Sequence, residues 1–353
     1  MKRLGILLFS LGLFFIKGWA AEWQWSVPVS KVIASETGGH PQAFLWIPED
    51  CMQVRAVMIG THNMCEETLF ENELFRRGMK EAGVALIWIT PGWDQQWKAD
   101  SGSPEAYWQM LDDLAETSGY GELKFTLIIP IGHSAMATYP WNFAAWHPER
   151  TLAVVSYHGD APRTNLTGYG RENLEWGRMR NIDGIPGLMV EGEYEWWEAR
   201  VNPALAFRMM YPESCISFLC DAGRGHFDVS DRTAEYIALF VKKALQARLP
   251  DTVARDRPVA LRKVRPQDGW LAERWHPVQP RRAKPAPYAK YKGDVHDAFW
   301  YFDREMAEAT SVMPEREGKK CCIWEWNRRG GWHLTIPGRM SRSICLSVRK
   351  PMA

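Results

Sequence analysis

The feature that most constrains this chain is an alternation. From Val54 to Leu249, short and nearly continuous apolar runs are separated by stretches of helical period. "VRAVMIGTH", "VALIWITP", "FTLIIPIG", "TLAVVSYHG", "GLMVEGE" and "CISFLCDA" read as strands. Between them "ETLFENELFRRGMKEAG" and "PEAYWQMLDDLAETSG" read as helices, the first stopping at Gly83 and the second starting at Pro104. A further helix runs through "WNFAAW", and "SDRTAEYIALFVKKALQAR" closes the series. Strands apolar on both faces, alternating with helices, require a mostly parallel sheet covered by helices on both faces, an α/β fold. "QAFLWIPE", upstream of the series, is expected as an antiparallel strand at the sheet edge.

Outside that block the composition changes. Residues 1–21 have Lys2 and Arg3, an apolar run from Leu4 to Ile16, and small residues at Gly18, Ala20 and Ala21. This is the layout of a cleaved signal peptide, so a secreted or periplasmic protein is expected, with no membrane span once it is removed. Residues 22–250 would then form the main domain. Residues 251–353, rich in Pro, Arg and Lys at first, would form a small mixed or β-rich module in which "DVHDAFWYFDREMAEAT" is a helix capped near Asp294. The tail after Lys319 reads either as a β-rich ending or as a segment altered relative to its relatives. The net charge of +1 gives no basic face for nucleic acid. Cys215 and Cys220 flank a strand-like run, point to opposite faces and cannot pair with each other; no cysteine spacing suits zinc, and no metal or other cofactor is expected.

The chemistry concentrates in "KFTLIIPIGHSAMATYP". An apolar strand runs into Gly132, His133 and Ser134, and small residues follow. A serine hydroxyl needs a rigid support, nearby backbone N–H groups and a base to take its proton. A strand–turn–helix elbow with the pattern G-x-S-x-G supplies the support. Gly132 fits that pattern, whereas Met136 stands where it asks for glycine. The order Ser, acid, His points downstream. His226 lies in "DAGRGHFDVSD", between the last strand and the last helix. For the acid, Glu195 ranks first because it follows Gly192 by three residues after a strand, Glu193 second, and Asp160 third.

Two N–H donors must meet a developing oxyanion. Ala135 follows the nucleophile directly, and Asn63 or Met64 in "IGTHNMCEE" would supply the second through the main chain. His62, His133 and His158 are candidates for the pocket wall. Of the 19 tryptophans most must be packing, but Trp93, Trp97, Trp141, Trp196 and Trp197 fall in loops at the expected active edge and suit stacking on sugar rings.

Gly132-His133-Ser134-Ala135, an acid after the next-to-last strand and "GRGHFD" together resemble the α/β-hydrolase superfamily over Val27 to Leu249. The resemblance implies a Ser134–Glu195–His226 triad and an acyl-enzyme. The longer pattern "SGYGEL…IGHSAMATYPWNFAAWHPER", with "AFWYFDREMAEAT", is similar to secreted bacterial hydrolases that accompany polysaccharide-degrading enzymes, some of which remove methyl or acetyl esters from plant glycans such as pectin. The expected partner is therefore an ester substrate, a glycan or its fragment. A lipase would carry an apolar lid, and "RTNLTGYGRENLEWGRMRN" is polar. A peptidase of the same fold is a rival reading. A non-catalytic glycan-binding protein on this scaffold would lack a triad member, and here each member has a candidate.

Overall fold

The computed structural model describes residues 23–163, 174–196, 198–276 and 281–311, and the backbone of two later strands. The expected signal segment, Trp197 and most of the tail lie outside the described residues.

The chain begins with β1 (Trp25–Pro28) and β2 (Gln42–Trp46), then enters the alternating series. β3 (Ala56–Thr61) leads to α1 (Glu66–Glu71) and α2 (Glu73–Ala82), and β4 (Val84–Thr90) to α3 (Ser103–Ser118). β5 (Leu127–His133) leads to α4 (Tyr139–Trp146). β6 (Val154–Tyr157) and β7 (Pro186–Gly192) follow, then α5 (Glu198–Met210), β8 (Cys215–Asp221) and α6 (Asp231–Arg248). The eight strands form one sheet in the order β1-β2-β4-β3-β5-β6-β7-β8. β2 is antiparallel to β1 and β4, and all pairs from β4 to β8 are parallel. This is the α/β-hydrolase fold.

Alternate residues of the central strands feed two cores. Met58, Leu86 and Ile129 join Phe75 and Met79 of α2 and Ile237 and Phe240 of α6 on one face. Val57, Ile87 and Ile128 join Tyr107, Met110 and Leu114 of α3 on the other. With period 2, a strand buried on both sides can keep no polar stripe, which is why these runs read as continuously apolar.

Three expectations about elements need correction. The outermost strand is β1, not β2; "WSVP" is short and ends in proline, so it carries little strand signal of its own. "ETLFENELFRRGMKEAG" is two helices, not one. Asn72 is extended and caps α2 by accepting from the Phe75 N–H at 3.0 Å. Third, "DVHDAFWYFDREMAEAT" is not one helix. Ala298–Tyr301 is a fully buried strand, and only Arg304–Ala309 is an α-helix. An aromatic run buried on both faces favours a strand over a helix. Asp294 caps only the 3-10 turn Val295–Asp297, accepting from the His296 N–H at 2.9 Å, while Asp303 caps the α-helix, accepting from the Met306 N–H at 3.1 Å.

These residues belong to a second, three-stranded antiparallel sheet made of β9 (Trp270–Glu273), β10 (Ala286–Pro287) and β11 (Ala298–Tyr301), flanked by α7 (Arg304–Ala309). It docks on β8. Ser217 Oγ donates to the Trp300 carbonyl at 2.6 Å, the Tyr301 hydroxyl donates to the Phe218 carbonyl at 2.8 Å, and Phe218 stacks on Phe299. Further on, β12 (Ile323–Trp326) and β13 (Trp332–Thr335) pair as an antiparallel hairpin. Cys51, Cys65, Cys215 and Cys220 carry free thiols.

Candidate active site

β5 is buried along its whole length and ends against the 3-10 turn Ser134–Met136. Ser134 takes a left-handed backbone conformation, with φ 53°. For an L-residue this costs about 1–2 kcal/mol, and such strain persists only where its surroundings enforce it. Here they do. A Cβ on Gly132 would run into the Met136 carbonyl oxygen, and one on Gly159 into the Ala137 side chain. The sharp turn is thus held by backbones packed too closely for any side chain at these two positions.

The turn aims Ser134 Oγ at the loop between β8 and α6, where His226 Nε2 lies 2.8 Å away. His226 Nδ1 donates to Glu195 Oε2. Glu195 belongs to a 3-10 turn directly after β7 and folds back so that Oε1 accepts from its own Gly192 N–H at 3.0 Å. Arg200 Nη1 lies 3.4 Å from Oε2, and His158 Nδ1 donates to Oε1. Burial alone would raise the Glu195 carboxyl. The hydrogen bonds from His158, His226 and Gly192 outweigh it and hold that group well below the usual carboxylate range. The geometry is that of a serine-hydrolase triad: hydroxyl, imidazole and an ionised carboxylate in hydrogen-bonded series.

The other two acid candidates face elsewhere. Glu193 Oε2 accepts from the Gly223 N–H at 2.9 Å and so secures the turn after β8. Asp160 Oδ1 lies 3.6 Å from Arg200 Nε, and the Asp160 carbonyl accepts from Trp141.

The expected second oxyanion donors are differently engaged. The N–H groups of Asn63 and Met64 both donate to Glu66 Oε2 at 3.1 Å, and Glu66 Oε1 accepts from the His133 N–H at 2.7 Å. Glu66 thereby ties the loop after β3 to the last residue of the nucleophile strand. Burial pushes its carboxyl up to about 7 against the pull of those N–H groups. Ala135 follows Ser134 within the 3-10 turn. Sequence reasoning missed Glu66; its position three residues past Asn63, at the start of α1, was the available signal.

Several residues expected on the pocket wall are structural. His133 is fully buried. Its Nε2 donates to the His226 carbonyl at 2.8 Å, its Nδ1 accepts from Asn63 at 3.3 Å, and burial lowers it to about 3, so it stays neutral while bracing the loop of His226. The Tyr157 hydroxyl braces the same loop through the Asp228 carbonyl at 2.8 Å. His158 is buried beneath Glu195. Trp97 and Trp141 are core, the former wedged among Tyr107, Phe143 and His147. Trp196 packs on Phe218 and Trp275, towards the small sheet, and Trp93 on Tyr107. An apolar ring in a loop beside an unfilled core drops into it, and sequence cannot tell the two destinations apart. His62 is half-buried, edge-on to Trp88. The exposed apolar side chains at the site are others: Phe227, Tyr194 and Met64, at 64%, 54% and 62% exposure.

Among the described residues one group has the donor set for a divalent ion. His158, Glu195 and His226 offer ligand atoms within 4.8 Å of one another. The same atoms are hydrogen-bonded to each other, and Arg200 places a cation beside them.

No protein-family model and no curated protein matches the sequence. Solved structures do match. FphF, a fluorophosphonate-binding serine hydrolase of Staphylococcus aureus, is 12% identical with a TM-score of 0.41, over 62% of this chain and 97% of that one. An esterase of Pyrobaculum calidifontis is 13% identical with a TM-score of 0.43, over 64% and 87%. Est1E of Butyrivibrio proteoclasticus is 15% identical with a TM-score of 0.37, over 60% and 95%. The fold reading rests on the strand order, and the chemistry on the distances above.

Proposed function

We propose that the chain is an exported serine hydrolase that cleaves carboxylic esters, with a methyl- or acetyl-esterified plant polysaccharide as its substrate. The observation that carries the hydrolase reading is the unbroken series from Ser134 Oγ through His226 to Glu195. His226 takes the proton as Ser134 attacks the ester carbonyl, and Glu195 steadies the imidazolium that forms. The Ala135 N–H faces the oxyanion. His226 returns the proton to the departing alcohol, and water then releases the acid from the acyl-enzyme.

The choice of a glycan ester is supported by the resemblance around "IGHSAMATYPWNFAAWHPER" and by the signal-like first 21 residues. Phe227 and Tyr194, exposed and next in the chain to His226 and Glu195, are the aromatic faces available to a ring lying over Ser134. Hydrolysis of a short chromogenic ester tests the chemistry. Methanol against acetate release from pectin then tests the substrate. Neither product, from an enzyme active on the chromogenic ester, would remove pectin and leave the esterase.

A further inference from the structure

His158 stands outside the usual three-member series, yet it is built into this one. It closes β6 with φ 52°, a left-handed conformation, and its N–H donates to the Val190 carbonyl of β7 at 2.7 Å. That placement turns the ring under the sheet edge, where it is fully buried. Its Nδ1 meets Glu195 Oε1, and its Nε2 has no hydrogen-bond partner among the described residues. A carboxylate can only accept, so the ring presents Nδ1–H to it.

Consider what Glu195 needs. An ionised carboxylate has about four acceptor sites. Here Oε1 takes Gly192 N–H and His158 Nδ1–H, while Oε2 takes His226 Nδ1–H beside the Arg200 guanidinium. Without His158, Oε1 would keep only the Gly192 N–H, and the carboxylate could rotate about its last bond, weakening the bond to His226. Partners that orient metal ligands matter by about 10- to 100-fold, and the same scale is taken for a partner that orients a triad carboxylate.

We propose that His158 is a positioning residue for this site: its Nδ1–H saturates Glu195 Oε1, so that Oε2 remains turned towards His226 and the series runs Ser134–His226–Glu195–His158. The proposal rests on the triad reading above, and the two can fail separately.

The test uses the full chain, a chromogenic acetate ester and three variants. Ser134→Ala is the control for the triad; if it retains hydrolysis, the triad reading falls and this proposal with it. His158→Gly removes the ring while accepting the left-handed backbone, so the variant can fold. His158→Asn also tolerates that backbone and returns an N–H close to the place of Nδ1. His158→Gly should lower kcat about 10- to 100-fold with KM within about threefold of the parent, and His158→Asn should recover most of the loss. A kcat within twofold of the parent in His158→Gly, or equal damage in His158→Asn and His158→Gly at matched thermal stability, would overturn the proposal.

Discussion

Two buried titratable groups beside the nucleophile strand should oppose each other in the pH dependence of stability. Glu66, at 2% exposure, has its carboxyl raised by burial from 4.5 to about 7. A raised folded value means that the native state holds its proton longer than the unfolded chain does. Its contribution is complete below pH 4.5 and is lost as pH rises towards 7. His133, fully buried, is lowered by burial from 6.5 to about 3. Its contribution is complete above pH 6.5 and is lost as pH falls towards 3. Between pH 4.5 and 6.5 each slope is about 1.4 kcal/mol per pH unit, and the signs are opposite. The parent protein should therefore show little net slope from this pair. Glu66→Gln should expose the His133 slope, gaining about 2.7 kcal/mol relative to the parent from pH 4.5 to 6.5. His133→Asn should expose the opposite slope and lose about as much. Glu66→Gln also sets an NH2 group among N–H donors, which adds a pH-independent loss of about 1–3 kcal/mol to its pH-dependent change. Urea unfolding at half-unit steps across the window measures all of this, and taking variant against parent cancels the other groups. The depressed carboxyl of Glu195 acts chiefly in more acid solution, below the window. Slopes unchanged in both variants would refute the reasoning.

Ser134→Ala should reduce ester turnover by a factor on the order of 10⁴ or more with an unchanged circular dichroism spectrum; Ser134→Gly should be equally inactive yet melt higher, because it relieves the left-handed strain at φ 53°. Glu193→Gln should lower the melting temperature through the Gly223 turn while leaving kcat within about threefold, and Glu195→Gln should cost about 10⁴-fold; the reverse order in a steady-state assay would hand the acid role to Glu193. Gly159→Ala should abolish turnover while Gly121→Ala, whose Cβ meets nothing within 4 Å, should not; equal activities would mean that close packing under the elbow does not matter.

What could be read from the sequence follows the physics of burial. Strands buried on both faces must be continuously apolar, so "VALIWIT" and "CISFLCD" announced themselves, and their alternation with helices required the sheet. The elbow and the His226 loop were readable because left-handed turns and close backbones demand particular small residues at fixed spacing. The wall of the site was not. Trp97 and Phe227 both sit in loops near the active edge, yet one is 1% exposed and the other 64%. Loop sequence does not record which side of the backbone faces an unfilled core. Glu66 left only a local trace for a related reason: a buried carboxylate is defined by N–H groups of Asn63, Met64 and His133, and the last of these is 67 residues away in the chain.

Met136 shows how the fold absorbs a departure from its own pattern. The last glycine of G-x-S-x-G leaves room where the turn passes the neighbouring strand, and a methionine there needs that room restored. The buried Met136 side chain reaches the loop after β4, where Gly92 has no side chain to oppose it: a Cβ on Gly92 would collide with the Met136 methyl and with the His62 carbonyl oxygen. The space removed at position 136 has been opened at position 92, forty-four residues earlier. The two positions are therefore one packing unit. Of the two atoms in the way, the methionine methyl can swing aside and the carbonyl cannot. Gly92 answers to the backbone of the His62–Asn63 loop as much as to Met136, and so couples the pattern's missing glycine to the segment that Glu66 holds against the nucleophile strand.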